Sequence, residues 1–181
     1  MELDAQWIVG FTDGEGCFHV GINRNKTMVF GKANAQGHLG FQVLPELTIV
    51  QHEKNIKVLY ALKDFFQCGV VRRNHGDRFA YRVRGQANLT QKVIPFFEKH
   101  QLKTSKRVDF QKFRKVVRMI EQKQHLTKEG LEQIQKIKQV MNRTPQRERD
   151  PAPCECFAKQ TRSVRRFSFA ESNVLRSKRE A

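Results

Sequence analysis

A chain of 181 residues with 34 Lys and Arg against 18 Asp and Glu, a formal charge of +16, is long enough for one domain with a real core and too short for two of ordinary size. Residues 1–141 alone hold 24 basic and 13 acidic side chains, and a field of that size favours a polyanionic partner, nucleic acid above all, over a basic surface kept only for solubility. Cys17, Cys68, Cys154 and Cys156 have neither disulfide-framework nor zinc-module spacing, which points to a reduced compartment, and no stretch approaches the roughly 20 apolar residues of a membrane span. The N-terminal MELDAQW has two acids and no arginine, unlike a signal or transit peptide. The expectation is a protein made in the compartment where it acts.

In chain order, the apolar run from Trp7 to Phe11 behind Asp4 predicts a short capped helix. Phe18, Val20 and Ile22 then alternate with Cys17, His19, Gly21 and Asn23, the period of a half-buried strand. The polar stretch 23–37 is expected to be a loop or hairpin tip. GFQVLPELTIVQ resumes the alternation, with Val43, Leu47 and Ile49 inward and Gln42, Glu46 and Thr48 outward. Ile56, Leu59, Leu62, Phe65 and Phe66 fall at helical spacing and stop at Cys68-Gly69. A hairpin follows around Asn74 to Asp77; on its second strand Phe79, Tyr81 and Val83 share one face, and Arg78, Arg82 and Arg84 share the other with Ala80. Helices are predicted over Leu89–His100, with Pro95 as a kink or break, around Phe110, Phe113, Val116, Val117 and Ile120, and around Leu131, Ile134, Ile137 and Val140 behind Thr127. After residue 141 the apolar periods fade, and 142–181 reads as a weakly structured basic tail.

The fold expected is α+β, in the order α-β-β-α-β-β-α with extra C-terminal helices. It is a half-saddle whose four-stranded antiparallel sheet has a core on one face and a ligand on the other. Arg72, Arg78, Arg82 and Arg84 are more basic side chains than edge protection of a sheet requires.

The stretch WIVGFTDGEGCF carries three glycines in seven residues, each costing about 1 kcal/mol inside a helix relative to alanine. Gly10 and Gly14, four apart, lie on one side of a helix, where missing side chains let a second helix approach closely. If that partner is the same helix of another copy, two Glu15 side chains meet across a two-fold axis. A carboxylate pair with phosphate nearby is what a divalent cation such as Mg²⁺ takes. The plainer alternative, that Asp13 and Glu15 merely end the helix in a glycine turn, is equally compatible with the residues.

Residues 8–16, IVGFTDGEG, resemble the nine-residue motif of the LAGLIDADG homing endonucleases and maturases, with Glu15 for the final aspartate. The resemblance extends over residues 5–141, through TIVQHEKNIKVLYALKDFFQCG and LKTSKRVDFQKF, and leaves the tail uncovered. One copy of the motif implies a homodimer through the Gly10/Gly14 helix face. By position, the resemblance implies that Glu15 and the Gly14 carbonyl hold metal and that Gln51 organises water. It also implies that Lys106 sits near the scissile phosphate, with Lys103 as the alternative. Asp13 takes a structural role. Asn55 departs from the arginine some relatives carry, with Lys54 near enough to substitute.

The function implied is a metal-dependent, site-specific double-strand DNA endonuclease, intron-encoded in an organelle, cutting a long pseudo-palindromic site. Its outward sheet residues, Asn23, Gln42, Glu46, Thr48, Arg72, Asn74, Arg78, Arg82 and Arg84, would contact DNA. The alternative is an RNA maturase that binds its intron RNA without cleaving DNA. Retention of Glu15, Gln51 and Lys106 favours the nuclease, since an RNA chaperone needs none of them.

Overall fold

The computed structural model describes residues 1–24 and 40–142. The expected loop from Asn25 on and the expected tail beyond Asn142 lie outside them. Asp4 opens the first helix, α1 (Ala5–Glu15), its carboxylate accepting from the backbone N–H groups of Gln6 and Trp7 at 2.7 and 3.1 Å. α1 buries Ile8, Val9 and Thr12 and passes without a linker into β1 (Gly16–Arg24).

β2 (Phe41–His52), β3 (Val70–His75) and β4 (Arg78–Val83) complete one antiparallel sheet in the order β1-β2-β4-β3. Register fixes the faces, because directly paired residues point the same way. Phe18 pairs with Leu47, Leu47 with Val83 and Ile49 with Tyr81, and these form the buried side. Cys17 pairs with Thr48, His19 with Glu46, Asn23 with Gln42 and Thr48 with Arg82, and these form the other. The hairpin β3–β4 turns through Gly76 and Asp77, with the register shifting between Arg73 and His75. His52 closes the end of β2 on it. Its Nδ1 accepts from Lys54 N–H at 3.1 Å, so the proton lies on Nε2, which sits 2.8 Å from Asp77.

The helices cover the apolar side. α2 (Ile56–Phe66) buries Leu59, Leu62 and Phe66 but leaves Phe65 41% exposed, against the expectation for that residue. It stops at Gln67 in a left-handed conformation. At the following Gly69 a Cβ would lie 2.7 Å from the Tyr81 ring, so glycine is required both by φ = +82° and by close approach.

Gln86–Asn88, a π turn at Leu89–Val93 and Ile94–Lys99 run on as one helix, α3. Pro95 therefore does not break it: the wider π turn just before absorbs the hydrogen bond that proline cannot give. α4 (Lys106–Glu121) buries Phe110, Phe113, Val116, Val117 and Ile120, and Arg114 and Arg118 both reach Glu98 of α3 at 2.8 and 2.9 Å. Phe18 of β1 meets the rings of Phe97, Phe110 and Phe113 at 5.3–5.6 Å, an aromatic centre in which truncating one ring costs about 3–5 kcal/mol.

α5 (Lys128–Gln139) starts at Thr127, whose hydroxyl accepts from Gly130 N–H at 3.1 Å, as expected of a cap. Val140 falls just past its end and is exposed rather than buried. Asn142 donates to the carbonyl of Phe18 at 2.9 Å, satisfying an acceptor on the edge strand β1. Asn142 thus belongs with the folded region, one residue beyond the boundary expected.

Candidate active site and nucleic-acid interface

The three glycines at the end of α1 have two separate causes. Gly16 has an ordinary extended φ of −77°, but a Cβ there would stand 2.6 Å from Cγ2 and 2.7 Å from the carbonyl oxygen of Thr12. Close approach of the strand to the helix it leaves makes that glycine necessary. Among the described residues, a Cβ on Gly10 or Gly14 would meet nothing within 4 Å. Both are exposed, on the same stripe as Trp7, 42% exposed, and Phe11, whose rings stack at 4.7 Å. Among the described residues, no packing asks for glycine at 10 and 14.

Glu15 is the last residue of α1 and is exposed. Asp13, two residues earlier, holds the turn before α4. Its carboxylate accepts from the Lys103 N–H at 2.7 Å, the Thr104 N–H at 3.4 Å and the Thr104 hydroxyl at 2.7 Å. The Thr104 hydroxyl in turn accepts from Lys106 N–H at 3.2 Å. The side chain of Lys106 then reaches back to the end of α1, its ammonium 3.5 Å from the carbonyl oxygen of Gly14 and hydrogen-bonded to that of Gly16. Lys106, and not Lys103, is the cation at this helix end; Lys103 contributes its backbone. The carbonyl end of α1 is the negative end of the helix dipole, so it attracts a cation on general grounds.

Gln51 lies on β2 two residues past Ile49, the partner of Gly16, and so comes level with the end of α1. No hydrogen bond joins it to Glu15 or Lys106. Cys17, two residues after Glu15 in the chain, lies on the open side of the sheet, and burial pushes its thiol up against the opposing pull of the Lys106 ammonium.

The open side carries the expected polar row, with one correction and one addition. Asn23, Gln42, Arg72, Asn74, Arg78 and Arg84 are exposed, and Thr48 and Arg82 half-buried. Glu46 is not free to meet a partner molecule: it is 8% exposed although, among the described residues, no helix lies on that face. It accepts hydrogen bonds from Arg84 Nε and the Thr48 hydroxyl, and Arg82 Nε lies 3.7 Å away. Arg84 follows the end of β4 at Val83 rather than lying within it. Arg82 Nη2 donates to Asn74 Oδ1 at 2.7 Å. The addition is His19, exposed and paired with Glu46 across the strands. Its period-two position with Cys17 and Asn23 was the signal for it.

Among the described residues there is no group of three or more His, Cys, Asp or Glu side chains able to hold a metal ion. Glu15 and the Gly14 carbonyl are two oxygen donors of the hard type that suits Mg²⁺ or Ca²⁺. They fit such an ion only in part, since two donors fall short of its coordination number.

Residues 8–117 match the family model described as LAGLIDADG endonuclease. Of solved structures, the homing endonuclease I-TnaI is similar at 54% identity, over 80% of this chain and 92% of that one, with a TM-score of 0.71. I-SmaMI bound to uncleaved DNA target in the presence of calcium ions is similar at 28% identity, over 78% of this chain and 45% of that one, with a TM-score of 0.70. A Neurospora crassa protein named probable intron-encoded endonuclease 3 is 33% identical over 137 residues, 74% of this chain and 24% of its own length. The chain spans about a quarter of the length of the first curated relatives it matches. A match running from α1 into α4, over more than half of the residues, makes this chain a member of the LAGLIDADG endonuclease family.

Proposed function

We propose that the chain is a site-specific, double-strand DNA homing endonuclease, intron-encoded in an organelle, that acts as a homodimer on a pseudo-palindromic site and requires a divalent cation, Mg²⁺ by preference. The observation that carries this reading is the assembly at the end of α1. Glu15 and the Gly14 carbonyl stand exposed beside Lys106, which the Asp13–Lys103–Thr104 bonds hold there from ninety residues away. An RNA chaperone has no use for that arrangement.

Each part has a task. The bare Gly10/Gly14 stripe, flanked by Trp7 and Phe11, is the contact between two copies, and it brings two Glu15 carboxylates together. Correspondence of this fold to nearly all of the I-TnaI chain and under half of the I-SmaMI chain supports a half-site unit. Glu15 and the Gly14 carbonyl hold the cation, which when bound supplies charge neutralisation at the phosphate and a more acidic water. Lys106 leaves the helix carbonyls for the scissile phosphate, and Gln51 orients the attacking water. The sheet lies in the major groove, where each base pair presents its own donors and acceptors. Asn23, Gln42, Thr48, Arg72, Asn74, Arg78, Arg82 and Arg84 face the bases.

The test is incubation with DNA of the intronless host allele, with Mg²⁺ or with excess chelator. A double-strand cut at the intron-insertion position, present only with the metal, is expected. No cut under any divalent cation, together with tight binding to the intron transcript, would replace this reading with the RNA maturase.

A further inference from the structure

A carboxylate at the centre of a surface built to meet phosphates is a liability. Free, Glu46 would repel DNA; desolvated alone, it would be costly to bury. It is neither. Among the described residues, its cover is made of the side chains that face the ligand: Arg84 through Nε, Thr48 through its hydroxyl and Arg82 with Nε 3.7 Å away. The Glu46 side chain is 10% exposed while those of Arg82 and Arg84 remain 32% and 59% exposed. The carboxylate is hidden and the guanidinium groups are displayed.

We propose that Glu46 is a positioning residue for base recognition, a buried anchor that fixes Arg84 and Arg82 in the orientation that reads guanine. A guanidinium whose Nε is held turns its two Nη groups outward as a fork, the arrangement that meets O6 and N7 of guanine together. Among the described residues Arg84 makes no other side-chain hydrogen bond, which leaves both of its Nη groups for this. Arg82 is hydrogen-bonded at Nη2 to Asn74, while its buried Nε stands 3.7 Å from Glu46, within ion-pair range but without a hydrogen bond. Its narrower freedom leaves Nη1 and one Nη2 hydrogen.

The anchor has a second effect. Two arginines neutralised in part by one buried carboxylate are poorer partners for an arbitrary phosphate than two free ones. Glu46 thereby lowers affinity for random DNA while preserving it for a sequence with guanine in the right place, which is specificity by disfavouring the wrong partner. Glu46 itself touches no base. This inference rests on the DNA-recognition reading above.

The test is selection of binding sites from a randomised duplex pool by the full-length wild type, Glu46→Gln, Arg84→Ala and the double variant, with thermal melts alongside. Enrichment of a palindromic site by wild type would uphold the DNA reading itself; no enrichment would overturn that reading and this one with it. If the site is enriched, Glu46→Gln is expected to lose roughly tenfold or more of the guanine preference at two symmetric positions. Its affinity for random DNA should rise, with the salt dependence steeper by about one unit of log–log slope. Once Arg84 is alanine, Glu46→Gln should add no further loss of preference at the base Arg84 reads, because there it acts through Arg84, and only a smaller loss at the base read by Arg82 should remain. A variant that melts lower but keeps wild-type preference and salt slope would overturn the proposal, leaving Glu46 a stabilising ion pair only. So would loss of cytosine rather than guanine preference, which would make Glu46 itself the reader.

Discussion

Replacing Gly10 and Gly14 together by alanine separates what these residues do for one chain from what they do between two. Among the described residues, a Cβ at either position meets nothing within 4 Å. Within one subunit the exchange therefore brings only the helix-propensity gain, about 0.8–1 kcal/mol per site, and the isolated fold becomes more stable. Between subunits the sign reverses. Two helices in contact at glycine have no room for a methyl group, and overpacking costs about 1–3 kcal/mol per inserted group. Two-fold symmetry places each substitution in the interface twice, so one exchange costs roughly 2–6 kcal/mol of association and raises the dimer Kd at least about 30-fold. Sedimentation velocity over a concentration series reads the Kd, and denaturant unfolding below the new Kd reads the subunit. The expected pair is weaker association with greater subunit stability. A double variant that dimerises as tightly as wild type refutes the placement of the interface on this stripe, as does a wild type monomeric at micromolar concentration.

Three further expectations follow from the geometry. Gly16→Ala should destabilise the subunit by about 1–3 kcal/mol, in contrast to Gly14→Ala two residues away, because only at Gly16 does a Cβ collide with the Thr12 carbonyl; equal melting temperatures for the two would refute this. Asp13→Ala removes all three acceptor contacts that hold Lys103 and Thr104. Single-turnover cleavage should fall roughly 10- to 100-fold with DNA affinity nearly unchanged, and an unaltered rate would show that Lys106 needs no such support. Tyr81 is fully buried, donates to the Cys68 carbonyl at 3.0 Å, and burial raises its hydroxyl well above the ordinary phenol range. A raised folded-state pKa means stability that is complete below the unfolded value of about 10 and is lost as pH rises beyond it. The urea midpoint should therefore drop more between pH 9 and pH 11 (about one unit either side of that value) in wild type than in Tyr81→Phe, and parallel drops would refute it.

Much of this was legible in the residues because it depends on local period and local chemistry. The Asp4 and Thr127 caps, the two faces of the sheet and the buried sides of α2 and α4 follow from side chains within a turn or two of one another. What escaped depends on distance or on reach. The resemblance gave Asp13 a structural role, but not its partners, which lie ninety residues on. Alternation placed Glu46 on the open side correctly, but a period of two says nothing of whether a long arginine from another strand folds over it. Pro95 signalled a kink or break because proline removes a donor; the helix does not break there, and the π turn just before it accommodates the missing donor. Between Lys106, preferred from the resemblance, and Lys103 the spacing alone left the register open, because it rests on where α4 begins.

The central claim is that catalysis needs one Glu15 from each of two chains, and a subunit-mixing experiment tests it most directly. Wild type and Glu15→Gln, which keeps size and hydrogen bonding but removes the charge, are unfolded together, refolded at varied ratios and assayed in Mg²⁺ on intronless-allele DNA at constant total protein. Double-strand cleavage should be absent for Glu15→Gln alone, with DNA binding retained, and should fall as the square of the wild-type fraction, to about one quarter at equal mixing. A linear fall, or cleavage by Glu15→Gln alone, would mean that each chain cuts without its partner's Glu15 and would contradict the shared site.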